Sequence, residues 1–225
     1  MDLEIYLHEL DEQFRLHADP DIARGQAAYM RNQFVYHGIK TSRRRELQKP
    51  FLKKENLPEK GDLQQLIKQI WEKPEREYQY FAQELVWRYG DKLQPKDIGL
   101  LEYMIVNKSW WDTVDFIATS LAGACFRRFP EQREEYVNKW LESGNIWLQR
   151  TALLFQLKYK TGTDTSLLAT TIKALGGSRE FFINKAIGWA LREYSKTNPQ
   201  WVVEFVKNTE LSNLSRREGL RFVCK

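Results

Sequence analysis

Residues 109–115 read Ser-Trp-Trp-Asp-Thr-Val-Asp, and the chain returns to the register of this segment every 35 residues. Counting forward from Asp115 reaches Arg150 in Gly-Asn-Ile-Trp-Leu-Gln-Arg and then Lys185 in Glu-Phe-Phe-Ile-Asn-Lys. Counting back reaches Tyr80 in Glu-Arg-Glu-Tyr-Gln-Tyr. Each position lies one turn into a segment of helical periodicity, which is typical of stacked helix pairs of the HEAT or TPR size class.

Helical periodicity covers nearly the whole chain, and no stretch alternates strictly enough to predict a sheet. Capping and proline signals predict helices over residues 2–16, 21–34, 43 to before 57, 61–72, 75–89, 95–107, 110–128, 131–142, 146–160, 164–175, 179–196, 199–208 and 213–224. Of the prolines, only Pro50 interrupts a helical pattern. We therefore predict one all-α domain over residues 1–225, a right-handed α-solenoid of about six HEAT-like antiparallel helix pairs with a basic concave groove.

The composition narrows the class of partner and the compartment. A net charge of +5 favours a polyanionic partner, although only weakly. The two cysteines match neither a zinc motif nor a disulfide framework, and the polar, acidic first residues do not resemble a signal peptide. The three histidines, His8, His17 and His37, lie near the N-terminus on different predicted elements, and no zinc or Ser-His-Asp arrangement can be built from them with the later residues. We expect a cytoplasmic monomer that binds no membrane, metal or cofactor.

The recurring register predicts which side chains share a surface. Trp111 and Asp115 are four residues apart on one helical face. Lys185, Trp189 and Arg192 lie at i, i+4 and i+7 on another face. The opposite phases carry residues suited to a core, such as Val114, Ile117, Ala118, Leu121, Ala152, Leu153 and Leu157.

Arg150 occupies the phase shared by Asp115 and Lys185, so three neighbouring helices are predicted to face a common groove. Cations there would bind phosphates, and indole faces attract cationic groups by about 0.5–2 kcal/mol per contact. A carboxylate beside indoles could stabilise an oxocarbenium-like sugar or orient a water molecule. These groups together suit cleavage of an N-glycosidic bond whose base is already cationic, because such a base needs no strong acid to leave.

Several of these residues also have structural interpretations. Tryptophans at helical spacing are more often core residues, and Arg150 could pair with Asp115 across a helix interface. The run Arg43-Arg44-Arg45 is ordinarily a solvated face, but cations at a helix start oppose the macrodipole, which favours phosphate binding there. Ser-Arg-Arg-Glu at 215–218 has the pattern of a capping box.

The centre of the chain carries four distinctive segments: Lys-Ser-Trp-Trp-Asp-Thr-Val-Asp (108–115), Asn-Ile-Trp-Leu-Gln-Arg (145–150), Phe-Gln-Leu-Lys-Tyr-Lys (155–160) and Phe-Phe-Ile-Asn-Lys-Ala-Ile-Gly-Trp-Ala-Leu-Arg-Glu-Tyr (181–194). These segments closely resemble those of the AlkD-type DNA alkylation repair enzymes. Further matches, such as Ala-Tyr-Met-Arg-Asn (28–32), extend the resemblance over essentially the whole chain. The sequence departs from it at His-Gly-Ile-Lys-Thr-Ser (37–42), where the family has a Gln-Thr-Pro-like segment.

The resemblance implies a monofunctional DNA glycosylase of HEAT-like helix pairs that excises cationic alkylpurines, notably N3-methyladenine and N7-methylguanine, from duplex DNA. It also implies that the damaged base is not flipped into a tight pocket, the usual solution for base chemistry. By motif position, Trp111 and Trp189 are the catalytic indoles, and Asp115 stabilises the sugar cation and positions the water.

The same resemblance and the basic runs together predict the DNA contacts. Arg150 and Arg192 are expected to hold the backbone near the lesion, and Tyr29 to contribute to the lesion site. The full set of predicted DNA contacts is Tyr29, Lys40, Arg44, Arg45, Arg150, Lys158, Lys185 and Arg192. Two alternatives remain. The first is a DNA-structure-binding protein without catalysis that uses the same groove, and the second is a HEAT-type protein scaffold in which the aromatic residues would form core or a peptide-binding surface.

Overall fold

The computed structural model describes residues 2–223, and the secondary-structure elements of this part of the chain are all helices. Its only β-type pairing is one isolated bridge between Val35 and Glu75. The helices form two compact units, which divide between Lys92 and Leu93. The all-α class predicted from the sequence is therefore confirmed, whereas the single domain over residues 1–225 stays a prediction.

The first unit contains five α-helices: α1 (Leu3–Leu16), α2 (Pro20–Tyr29), α3 (Thr41–Gln48), α4 (Leu63–Glu72) and α5 (Arg76–Arg88). Helix α1 buries Tyr6, Leu10 and Phe14, which follow each other at intervals of four residues on one face. Asp2 and Asp19 cap α1 and α2 by accepting hydrogen bonds from backbone N–H groups of the first turn.

Between α2 and α3 the chain is fixed by a buried carboxylate of α5. Glu77 accepts hydrogen bonds from the backbone N–H groups of His37, Gly38 and Ile39, at 3.0–3.1 Å. Gly38 has φ +89°, and a Cβ atom there would lie 1.9 Å from the carbonyl oxygen of Asp19. The turn between α2 and α3 therefore requires glycine.

Helix α2 ends earlier than predicted, at Tyr29 rather than at residue 34. Arg31 and Asn32 have φ values of 55° and 56°, a left-handed conformation that stops an α-helix. Helix α3 begins at Thr41, two residues before its predicted start, and ends at Gln48, just before Pro50. Both differences lie in local backbone conformations that apolar periodicity does not report.

The second unit contains α6 (Ile98–Val106), α7 (Trp111–Phe116), a π-helical segment (Ile117–Ala122), α8 (Gly123–Arg128), α9 (Arg133–Glu142), α10 (Ile146–Leu154), α11 (Thr165–Leu175), α12 (Phe181–Tyr194), α13 (Pro199–Lys207) and α14 (Asn213–Gly219). Helix α7, the π-helical segment and α8 run on without a break and correspond to the predicted helix over 110–128. The last helix was predicted over 213–224; it ends at Gly219, and residue 224 lies outside the described residues.

The helices of the second unit pack in sequence order. Helix α10 contacts α7 and α12, α12 contacts α14, and α9 contacts both α10 and α11. Their shared core contains Leu153 of α10, Ile172 of α11 and Ile187 of α12. The residues that the sequence assigned to the core beside Asp115, namely Val114, Ile117, Ala118 and Leu121, are all buried. The face of α7 that carries Asp115 is thus turned away from the core.

Candidate functional site

The site begins with an abrupt helix start at Trp111. Lys108 has φ 47° and Trp110 is extended, so the chain turns sharply from α6 into α7. Trp111 and Asp115 then follow four residues apart on one face of α7, as predicted, and both side chains are half-buried. The backbone thus brings an indole and a carboxylate together before any other helix contributes.

Arg150 reaches Asp115 from α10, whose amino end is capped by Asn145. The Nε atom of Arg150 donates to Oδ1 of Asp115 at 2.7 Å, and Nη2 donates to Oδ2 at 2.8 Å. Nη1 donates to the backbone carbonyl of Phe182 on α12, at 2.6 Å. This two-point ion pair joins residues 35 positions apart, so the register found in the sequence corresponds to a direct contact.

The expected DNA-backbone role of Arg150 fits this geometry poorly. Its side chain is only 6% exposed, and three of its N–H groups are already engaged within the protein. The alternative raised from the sequence, that Arg150 pairs with Asp115 across a helix interface, matches the observed contacts. Arg150 fixes the orientation of the carboxylate and ties α7, α10 and α12 together.

Asp115 is strongly influenced by its surroundings. Burial raises the pKa of its carboxyl group above the ordinary value, and the hydrogen bonds and charge of Arg150 act in the opposite direction. The carboxylate keeps 16% of its side-chain surface exposed. A partly desolvated anion of this kind interacts more strongly with a nearby positive charge than a carboxylate in bulk water does.

Helix α12 supplies the other wall of the site. Lys185, Trp189 and Arg192 lie on one face, as their spacing predicted, and Trp189 also packs against the core. The two cations are paired: Nζ of Lys185 lies 3.2 Å from Oε1 of Glu218, and Arg192 contacts Oε2 of the same carboxylate. This role of Glu218 was not predicted from the sequence, in which residues 215–218 have the pattern of a capping box.

The capping-box interpretation is wrong. Helix α14 is capped instead by Ser212, whose hydroxyl accepts a hydrogen bond from the backbone N–H of Ser215. Ser215 is buried, and its hydroxyl donates to Asn184 on α12. Glu218 is therefore free of any capping role at the start of α14 and points along α12 towards Lys185 and Arg192.

Helices α7, α10 and α12 border an open cleft of about 400 Å³. It is lined by Trp111, Asp115, Arg150, Phe181, Phe182, Lys185, Trp189 and Arg192. Six of these residues were predicted from the sequence, and the two phenylalanines were missed. Phe182 packs against Trp110 and Trp147, with ring centroids 5.1 and 5.0 Å away, whereas Phe181 is 55% exposed. In the sequence, Phe181 is visible only as one member of the apolar pair Phe181-Phe182.

The remaining predicted contacts are distributed differently. Lys158 is not among the residues that line the cleft; its Nζ donates to the hydroxyl of Ser120, 2.9 Å away in the π-helical segment. Within the first unit, Tyr29 and Arg44 line a separate open pocket of about 450 Å³, and Lys40 and Arg45 are exposed. Tyr29 itself is 72% exposed.

Arg44 departs from the expectation of a solvated basic run. Its side chain is buried, with Nη1 donating to Gln48 and Nη2 donating to Glu84 at 3.0 Å. Burial lowers its pKa, and the charge of Glu84 opposes this effect. Arg43 and Arg45 remain exposed, so the run divides into one structural and two surface cations.

The cleft combines one partly desolvated carboxylate with two indoles and a wall of cations. A positive charge that develops beside Asp115 would be stabilised by the carboxylate and by the π faces of Trp111 and Trp189. Among residues 2–223, no group of three or more histidine, cysteine, aspartate or glutamate side chains is arranged to hold a metal ion.

Comparison with known proteins identifies the family. The model of the family described as "DNA alkylation repair enzyme" matches residues 10–223 of this chain. The chain belongs to this family. It is therefore related to enzymes that repair alkylated DNA, which makes DNA the expected substrate.

A solved structure agrees with this assignment. The fold is similar to that of a predicted DNA alkylation repair enzyme from Enterococcus faecalis, with a TM-score of 0.87 and 36% sequence identity. The match covers 92% of this chain and 97% of the other. A search of curated proteins found no match. Within residues 2–223, no helix combines the length and apolar character that crossing a membrane requires.

Proposed function

We propose that the protein is a monofunctional DNA glycosylase that hydrolyses the N-glycosidic bond of cationic alkylpurines, N3-methyladenine and N7-methylguanine, in duplex DNA. The observation that carries the proposal is the Asp115 carboxylate, which Arg150 holds in one cleft with Trp111 and Trp189. Membership of the DNA alkylation repair family supports alkylated DNA as the substrate.

In the proposed reaction, the bond between the sugar C1′ and N9 of the purine breaks, and its electron pair moves to the base. Because the alkylated base is already cationic, it leaves as a neutral molecule and needs no acid. The sugar becomes positively charged, and Asp115 stabilises this charge beside the indole faces. A water molecule then adds its oxygen to C1′, and its proton passes to the carboxylate or to solvent.

Arg150 is proposed to act through Asp115 rather than on the DNA. Its two hydrogen bonds hold both carboxylate oxygens, and its contact with the Phe182 carbonyl fixes the guanidinium itself. A carboxylate fixed in this way loses little free energy to reorganisation when charge develops next to it.

The openness of the cleft supports a reaction without base flipping. Enzymes that flip bases enclose the base in a snug pocket, whereas this cleft is an open surface with an exposed phenylalanine at its edge. We propose that the lesion's sugar contacts the indoles while the base stays in the duplex. The proposed DNA contacts are Lys158, Lys185 and Arg192 of the second unit, and Tyr29, Lys40 and Arg45 of the first.

We also propose that the second unit is a stretch of the solenoid predicted from the 35-residue register. Consecutive contacts from α7 to α10, α12 and α14, with α9 against α11, support stacked helix pairs in this unit.

The decisive experiment measures free base released from duplex DNA that contains N7-methylguanine, with wild type and Asp115→Asn side by side. We expect release by wild type only, while both proteins bind the duplex with similar affinity, because the substitution keeps the size of the side chain. A duplex containing uracil serves as the control substrate and should not react, because a neutral base needs an acid. If neither protein releases base but both bind duplex DNA, the non-catalytic DNA-binding function is correct instead.

A further inference from the structure

Glu218 connects the two cations that lie on either side of Trp189. Lys185 is four residues before this indole and Arg192 three residues after it, so both lie on its face of α12. Each cation contacts a different oxygen of the Glu218 carboxylate, and only 14% of the Glu218 side chain is exposed. One carboxylate from α14 therefore spans two turns of α12.

The carboxylate is fixed because α14 lies unusually close to α12. A Cβ atom at Gly188 would be 2.5 Å from the Cβ of Glu218, so only glycine allows this approach. Hydrogen bonds at 3.0 and 3.1 Å from the Ser215 hydroxyl to Asn184 hold the preceding turn of α14 in place. Glu218 has little freedom to move away from Lys185 and Arg192.

Glu218 also carries its charge at neutral pH. Burial alone would raise its pKa, but the hydrogen bond and charge of Lys185 and the charge of Arg192 lower it below the ordinary value. The three side chains together contribute one net positive charge to the wall, although two cations line the cleft.

We propose that Glu218 is a positioning residue of the cleft, which holds Lys185 and Arg192 on either side of Trp189 and cancels one of their charges towards DNA. The inference rests on the proposed function, since it assigns these cations to the DNA backbone. It gives Glu218 two separable effects: it lowers the general affinity for DNA, and it raises the rate of base release by fixing the groups around the lesion.

The first test is Glu218→Gln, which keeps the shape of the side chain and removes its charge. Binding to an undamaged duplex should become tighter, and log K should fall more steeply with log salt, by about 0.9 for one additional phosphate contact. Base release from N7-methylguanine duplex at saturating enzyme should slow about 10-fold, because misplaced contacts near a reacting centre reduce the rate. Affinity and rate thus change in opposite directions.

Glu204→Gln is the matched control. Glu204 is exposed on α13, and among residues 2–223 the only hydrogen bond of its carboxylate comes from the side chain of Gln200. It removes the same formal charge, so it accounts for any effect of net charge alone. A second variant, Glu218→Asp, keeps the charge but is one methylene too short to reach both cations; we expect the wild-type salt dependence and a reduced rate.

An equal salt dependence for Glu218→Gln and Glu204→Gln would overturn the charge-cancelling role, and an unchanged rate in both Glu218 variants would overturn the positioning role. A failure of the proposed glycosylase function would give a different set of results. If wild type releases no base, the glycosylase assignment is lost, while the salt dependence on undamaged duplex still decides whether Glu218 cancels charge. If wild type binds no duplex at all, both inferences are refuted.

Discussion

Replacing Arg150 by alanine tests whether this residue acts through Asp115 or on DNA. The substitution removes two hydrogen bonds to a carboxylate that is mostly buried, and one to the carbonyl of Phe182. Removing one partner of a buried ion pair costs about 3–5 kcal/mol, because the other charge stays behind without compensation. Asp115 keeps 16% of its side-chain surface exposed and can take up a proton, so we expect a loss near the lower end, about 3 kcal/mol.

The assay is urea unfolding followed by tryptophan fluorescence, combined with base release from N7-methylguanine duplex. Lys158→Ala is the control, because Lys158 is an exposed cation of the same unit whose ammonium group donates to the hydroxyl of Ser120. It should change the unfolding free energy by less than about 0.5 kcal/mol, and it should reduce the salt dependence of DNA binding by about 0.9. Arg150→Ala should show the reverse pattern, with a large loss of stability and a nearly unchanged salt dependence.

The double variant Arg150→Ala/Asp115→Asn isolates the interaction between the two residues. Because the asparagine leaves no buried charge behind, the double variant should be more stable than the sum of the single effects predicts, by about 1–3 kcal/mol. Additive effects, or a loss below about 1 kcal/mol in Arg150→Ala together with a weaker salt dependence, would refute the positioning role and return Arg150 to the DNA backbone.

Two further outcomes are expected. Because burial raises the pKa of Asp115 and the ionised form is the active one, base release should decline on acidification at a pH above about 4, the ordinary aspartate value. Single-turnover rates between pH 4 and 8, corrected for uncatalysed depurination, measure this, and a rate that stays constant down to pH 4 would contradict it. Gly188→Ala should lower the free energy of unfolding by about 1–3 kcal/mol, because the added Cβ would overlap with the Cβ of Glu218. Gly177→Ala, where a Cβ would meet no atom within 4 Å, should have little effect, and equal changes in both variants would remove the argument for close packing at Gly188.

The sequence predicted the parts of the molecule that depend on periodicity. Apolar spacing predicted the long helix from Trp110 to Arg128, and the 35-residue register predicted that Asp115 and Arg150 meet. The helix follows from its own apolar periodicity, and the contact agrees with the proposed stack of helix pairs, in which equivalent positions of successive repeats become neighbours. The six predicted residues of the cleft lie on α7, α10 and α12, the three helices that this register relates.

What the sequence did not predict depends on distant partners or on local backbone conformation. Glu218 forms its ion pairs 26 and 33 residues away, at positions outside the register. Arg44 is buried because Glu84, 40 residues further on, accepts its hydrogen bond, and nothing in a run of three arginines marks the middle one as different. The early end of α2 results from left-handed conformations at Arg31 and Asn32, which non-glycine residues adopt without an evident signal.

The π-helical segment Ile117–Ala122 has a consequence for how this chain can change in length. A π-helical turn amounts to one extra residue accommodated within an α-helix, with the helix continuing on both sides. A relative that lacks one residue in this segment could close it into regular α-helix and still keep Asp115 towards Arg150 and Phe126 in the core. An alignment gap at this position is therefore compatible with an intact site, whereas the same gap between Trp111 and Asp115 would rotate the carboxylate by about 100° around the helix axis relative to the indole.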